Sequence, residues 1–305
     1  MSDIPLRPWV PGTLRGAAGL MLIGFGWLHC FWGGNVPWEA ILLEKGLMQG
    51  IVNWDAWAVS DHVQNVAIPQ AKQVFGAIFF ITGILCLYNG PRILVTPFAF
   101  LSTLGVVFYA LSKAVLKKMD ALTFLEHALM MCAPLLLVLV VYFHLNGPSV
   151  RILIRYVCAM TFVCHAILAL GVNFNGDLLF LKDVELVYQT PEHYRFMAQT
   201  CLDLKSEESV NFVLRAAGTM DLIAAVLVLL PTRVISGLGF IYMAGWGFLT
   251  ALARPWAHLN PKQPFISLYE WAPEFLIRSP HFLVPLFMVG VLIAPRFRRT
   301  NSNEQ

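Results

Sequence analysis

The chain is poor in charge. Of its 305 residues only 13% are Asp, Glu, Lys or Arg, about half the share of a soluble globular domain. The 58% that are hydrophobic exceed what one water-soluble core can hide, and a mean hydropathy of +0.67 points to lipid as the second solvent. Paired cysteines are missing as well. Six cysteines, at positions 30, 86, 132, 158, 164 and 201, form no C-x-x-C, which excludes a zinc ribbon and a thioredoxin-like motif. A bridge between Cys30 and Cys201 would lie on the outer side, and nothing in the spacing requires it. Soluble-enzyme signatures are absent: there is no G-x-S-x-G, Walker A, H-E-x-x-H or Rossmann glycine pattern in a strand context. No set of residues reads as a metal site. The first apolar run has no small-residue cleavage site, so no cleaved signal peptide is expected.

What the sequence does have is long uncharged runs. Eight of them, 16 to 38, 73 to 91, 93 to 112, 127 to 150, 156 to 176, 216 to 232, 234 to 253 and 279 to 295, approach or exceed the roughly 20 residues a helix needs to cross a bilayer. Only Asp221 interrupts one of them. In hydrocarbon each backbone amide must be satisfied within its own segment, and these runs are about twice the length of barrel strands. The expectation is an all-α integral membrane protein with eight transmembrane helices.

Eight spans place both termini on one side. That side carries Arg7, Arg15, Arg92, Arg151, Arg155, Arg233, Arg296, Arg298 and Arg299 against Asp3 and Glu304 alone, while the other side holds 12 basic and 16 acidic residues. The positive-inside rule then makes both termini cytoplasmic, in a bacterial inner membrane. The overall charge of +3 is the sum of two opposed faces and gives no reason to invoke nucleic acid. Outer connections are the long ones, and Trp32, Trp38, Trp54, Trp57, Trp256 and Trp271 collect there as an aromatic belt. Trp38, Ile41, Leu42 and Met48 share a helical face that predicts a short helix lying on the membrane surface, and Glu192 to Leu204 reads similarly. Pro255, Pro261, Pro264 and Pro273 predict a loop from Arg254 to Glu274.

The chain also repeats itself. Arg15 and His29 recur as Arg151 and His165; Arg92 and Lys113 recur as Arg233 and Arg254; and Phe124-Leu125 with Pro134 recurs as Phe275-Leu276 with Pro285. Four spans is an even number, so the second unit enters the membrane in the same direction as the first, giving two parallel four-helix repeats, 1–148 and 149–305, the latter ending in a basic tail. Pro134 and Pro285 each lie inside a span and free the carbonyls of Met130 and His281.

Each half resembles the DoxX-like fold. The features that carry the likeness are Arg15-Gly16 opening the first helix, Gly83-Ile84-Leu85 through Gly90-Pro91-Arg92, and Leu135 after Pro134. In the second half they read Leu230-Pro231-Thr232-Arg233 and Pro285-Leu286. The resemblance to a tandem DoxX-like protein implies a role in quinone-linked oxidation of sulfur compounds or in a membrane oxidoreductase assembly. The acidic residue frequent in the second helix of that family is matched by Asp221, while the first half has Phe80 there.

An ionisable group inside a span is costly, which makes Asp221 either a functional residue or an ion-pairing one. His29 and His165 fall at matched positions near the outer ends of their helices. If the pseudo-two-fold axis brings them together, they suit the axial positions of a haem b or the carbonyls of a quinone; otherwise each bonds a backbone carbonyl or a lipid headgroup at the interface. Lys113, Glu126, His127, Arg254, Arg278 and His281 concentrate in the same outer half, forming a polar pocket or snorkelling to the interface. The expectation is an inner-membrane component of a redox system, with a quinone-like or haem cofactor in an outward-facing pocket built from both repeats. Membrane lipid and other subunits of a membrane redox complex are its expected partners. The rival readings are a non-catalytic structural or assembly subunit and a small-solute transporter.

Overall fold

The computed structural model describes residues 9–32, 37–43, 53–117, 120–145, 147–177, 182–188 and 190–293. The described residues form a helical bundle with one two-stranded hairpin. Its helices are α1 (Trp9–Phe31), α2 (Trp38–Leu42), α3 (Trp54–Ala58), α4 (Ile68–Leu87), α5 (Arg92–Leu116), α6 (Ala121–Leu125), α7 (Ala128–Leu137) and α8 (Pro148–Ala169). After the hairpin come α9 (Glu192–Leu202), α10 (Glu207–Leu229), α11 (Arg233–Ala257), α12 (Pro264–Leu276) and α13 (Ser279–Ile293). Single π-turns lead into α4 and continue α7 to Tyr142.

Seven helical stretches are long and apolar enough to cross a bilayer, and α12 with α13, bent by 45° at their junction, make an eighth only if taken as one span. The run 279 to 295 is therefore half of a broken element. The 15 residues of α13 rise only about 22 Å, less than the roughly 30 Å of hydrocarbon. The loop expected from Arg254 to Glu274 is largely helical: α11 continues to Ala257 and α12 begins at Pro264. Pro264 stands in a first turn, where its missing N–H costs nothing, and Pro255 and Pro273 stand in last turns, so none of the three breaks a helix in its middle.

The run 156 to 176 ends early, because Gly171 adopts φ 79° just past α8 and stops it. Beyond it lies a hairpin the hydropathy pattern did not announce, β1 (Val172–Asp177) antiparallel to β2 (Lys182–Tyr188), with an irregularity between Asn175 and Asp177. The helix expected over Glu192 to Leu204 is α9, ended by Asp203 in the left-handed region. In α2, Trp38 and Ile41 are buried and the helix packs on α5, so its apolar face meets protein instead of lipid. Met48, Arg7 and the arginines of the C-terminal tail lie outside the described residues.

The packing is close where side chains are small. A Cβ at Gly19 would come within 3.0 Å of the Gly83 carbonyl and one at Gly26 within 3.0 Å of the Gly76 carbonyl, so two glycine pairs seven residues apart let α1 and α4 meet backbone to backbone. The pairings repeat along the chain: α1 packs on α4 and α8 on α10, α4 on α5 and α10 on α11, α5 on α7 and α11 on α13. Helix α1 also reaches the second half through α12 and α13, where the Ser279 hydroxyl donates to the Ala17 carbonyl at 2.9 Å. At the arginine-rich end, Arg155 donates to the carbonyls of Val228 (3.2 Å) and Leu230 (2.7 Å), and Arg233 to that of Leu292 (2.7 Å). These cations satisfy helix C-terminal carbonyls that have no partner within their own helix.

Candidate functional site

A cavity of about 380 Å³ lies between α8, α9, α10 and α11, with His281 of α13 and Arg278 at its edge. Helical periodicity builds its walls. Phe162, His165 and Ala169 share one face of α8; Leu214, Ala217 and Asp221 share one face of α10; and Trp246, Thr250 and Arg254 share one face of α11. Helix α9 closes one side with Tyr194, Ala198 and Cys201, anchored by Arg195 to Glu207 at 2.8 Å and by the Cys201 thiol donating to the Ala253 carbonyl at 3.6 Å. Burial raises the pKa of that thiol. It therefore stays protonated at neutral pH, and Cys30, like Cys201, is a free cysteine, so the bridge between them is not formed.

Within the cavity Asp221 is 3% exposed. Its Oδ1 accepts from the Tyr242 hydroxyl at 3.0 Å, and the Trp246 indole reaches the same carboxyl. His165 lies parallel to His281, with ring centroids 5.2 Å apart and planes at 3°. His281 is 4% exposed, with its ring against the Arg278 backbone, and the Nε of Arg254 is buried without a hydrogen-bond partner among the described residues. Arg278 is bound instead: it donates to the Glu274 carboxylate at 2.5 Å and to the Glu274 carbonyl at 2.9 Å. The freed carbonyl of His281 receives α11 very closely, since a Cβ at Gly247 would lie 2.5 Å from it.

The structure thus places His165, Asp221, Arg254, Arg278 and His281 along the lining of one cavity, with Asp221 and Arg254 well separated, and leaves His29 elsewhere. The expected facing pair of His29 and His165 is replaced by His165 with His281. His29 Nδ1 donates to the Phe25 carbonyl at 2.7 Å, the ordinary fate of a histidine inside a helix. Its ring is enclosed by Trp38, Phe79 and Tyr109, at centroid distances of 5.5, 5.0 and 6.5 Å. Trp38 in turn stacks edge-on against Phe75 and Phe108, so His29 sits within an aromatic cluster. His127 is tied in the same manner to the Thr123 carbonyl at 2.6 Å and stands 3.7 Å from Glu126. Lys113 lies 5.5 Å from the Tyr109 ring centre. None of Lys113, Glu126 or His127 lines the cavity, whose walls come from the second half alone, not from both halves.

No protein-family model, curated protein or solved structure matches this chain.

The site rests accordingly on its own geometry. Reading the sequence missed Tyr242, Trp246 and Tyr194. A signal for the first two was present: Tyr242, Trp246, Thr250 and Arg254 recur every four residues, a polar stripe along an otherwise apolar span. Tyr194 had none, because α9 reaches the cavity only through tertiary packing. Among the described residues no group of three His, Cys, Asp or Glu side chains is placed to hold a metal ion.

Proposed function

We propose that the chain is a multi-pass inner-membrane component of a redox system that holds a quinone-like amphiphile in the second-half cavity. The observation that carries this is an apolar-walled cavity of about 380 Å³, within the range of small-molecule sites, with the buried Nε of Arg254 left without a partner among the described residues. Buried polar groups are normally satisfied, and the carbonyl oxygens of a quinone ring are acceptors of the kind the Arg254 N–H lacks. When bound, such a ring supplies the electron-accepting chemistry; the chain's part is to seat it and to exclude water. A haem does not fit these residues. Axial imidazoles must aim nitrogens at one iron from opposite sides, whereas His165 and His281 stack face to face at 5.2 Å and His29 does not line the cavity.

The tandem DoxX-like reading, with eight spans in two parallel repeats, is supported by the repeated helix pairings and by counting the bent α12–α13 pair as one span. Both termini are then cytoplasmic, and the cavity opens toward the outer side, the end opposite the arginine cluster. The test is titration of detergent-purified protein with decyl-ubiquinone while intrinsic fluorescence is recorded. Saturable quenching that is largely lost in Trp246→Phe is expected. Quenching that does not saturate, or that Trp246→Phe leaves unchanged, overturns the assignment.

A further inference from the structure

Taking the second-half cavity as the binding site, the charges around it specify its ligand further. Lys113, Arg254 and Arg278 gather at the outer end with two carboxylates, Glu126 and Glu274. Glu274 is committed to Arg278 at 2.5 Å, and Glu126 stands 3.7 Å from the His127 ring. Asp221 is too distant to serve. It bonds Tyr242, and Arg254 lies twelve residues further along α11, about 18 Å of helix rise. Arg254 therefore faces the cavity as a cation with no carboxylate within 4 Å among the described residues and with a buried donor unused. His281, 4% exposed, lines the same cavity. A guanidinium is the group that matches a planar oxyanion with paired hydrogen bonds.

We infer that the cavity binds an amphiphile with a planar oxyanion head, a carboxylate or an ionised hydroxyquinone, seated on Arg254, with its hydrocarbon running between α10 and α11 toward Asp221. The chemistry is shared by a fatty acid and an acidic quinone, and matched probes separate them: laurate against dodecanol, and an alkylated hydroxynaphthoquinone, ionised at neutral pH, against its neutral methyl ether. Each is titrated into full-length protein in detergent, with competition against decyl-ubiquinone as the readout. The expected result is that at least one anion outbinds its neutral partner by about 10-fold or more, as hydrogen bonds to charged groups imply, and that Arg254→Gln removes this preference by weakening the anion more than its neutral partner. Arg254→Lys, which keeps the charge without the fork, should restore part of it and guards against a folding defect. Preference for laurate alone identifies a fatty acid, and preference for the hydroxyquinone alone an acidic quinone. Equal binding of anion and neutral partner in both pairs, or a preference that survives Arg254→Gln, overturns the inference while leaving the cavity assignment intact if decyl-ubiquinone still quenches. Absence of binding by every probe overturns both.

Discussion

Gly247→Ala tests the contact that sets the floor of the cavity. Its Cβ would lie 2.5 Å from the His281 carbonyl oxygen and 2.9 Å from the carbonyl carbon, whereas ordinary contact begins at 3.4 Å. Because 3.4 less 2.5 is 0.9, α11 and α13 must part by about 0.9 Å at this point. The obstacle is backbone, which no rotamer change relieves. Overpacking of this kind costs about 1–3 kcal/mol. Gly245, two residues away on the same helix, is the internal control: a Cβ there meets nothing within 4 Å, so Gly245→Ala should gain about 0.5–1 kcal/mol from helix propensity. The pair should therefore move in opposite directions in thermal unfolding followed by size-exclusion chromatography in detergent. At about 2–4 °C per kcal/mol, the Gly247 variant should melt several degrees below the parent and the Gly245 variant at or slightly above it. Quenching of Trp246 by decyl-ubiquinone should weaken only in the former. Equal midpoints for the two variants would refute the close approach of α11 to the proline-freed carbonyl.

Two further outcomes follow from the same geometry. A double-mutant cycle on Asp221→Asn and Tyr242→Phe should yield a coupling of about 0.5–1.5 kcal/mol in thermal stability, and additive effects would show that the 3.0 Å bond contributes nothing. His258, just beyond α11, stacks on Trp271 with centroids 3.5 Å apart, and burial together with the nearby Arg254 lowers its pKa below 6.5. The folded state then binds fewer protons than the unfolded chain, so stability is retained above pH 6.5 and declines as pH falls below that value. Trp271 emission should titrate with a midpoint under pH 6.5, and a step that persists in His258→Gln would assign it to another group.

Much of the membrane architecture was readable because lipid imposes a simple demand. An uncharged run of about 20 residues must satisfy its own amides, and only a helix does so. Seven stretches obey that reading. It failed at α12 and α13, where Pro264 stands in a first turn and Pro255 and Pro273 in last turns, positions that composition cannot distinguish from a loop. It failed again at the hairpin beyond Gly171, since hydropathy registers transfer to lipid and not the pairing of strands in water.

The scarcity of charge likewise pointed to the right neighbourhood without its wiring. Asp221, His165, Arg254, Arg278 and His281 stood out as ionisable residues in or beside apolar spans, and they do converge. Equivalent spacing drew His29 into the same set, yet an aromatic enclosure surrounds it while α8–α11 keep a cavity. Periodicity sets which face of a helix a residue occupies. Whether that face meets a cavity or a partner ring depends on the bulk carried by neighbouring helices: Trp38 and Phe79 stand against His29, and Ala198 and Ala217 line the cavity with His165. That difference in packed volume exists only once the helices are assembled.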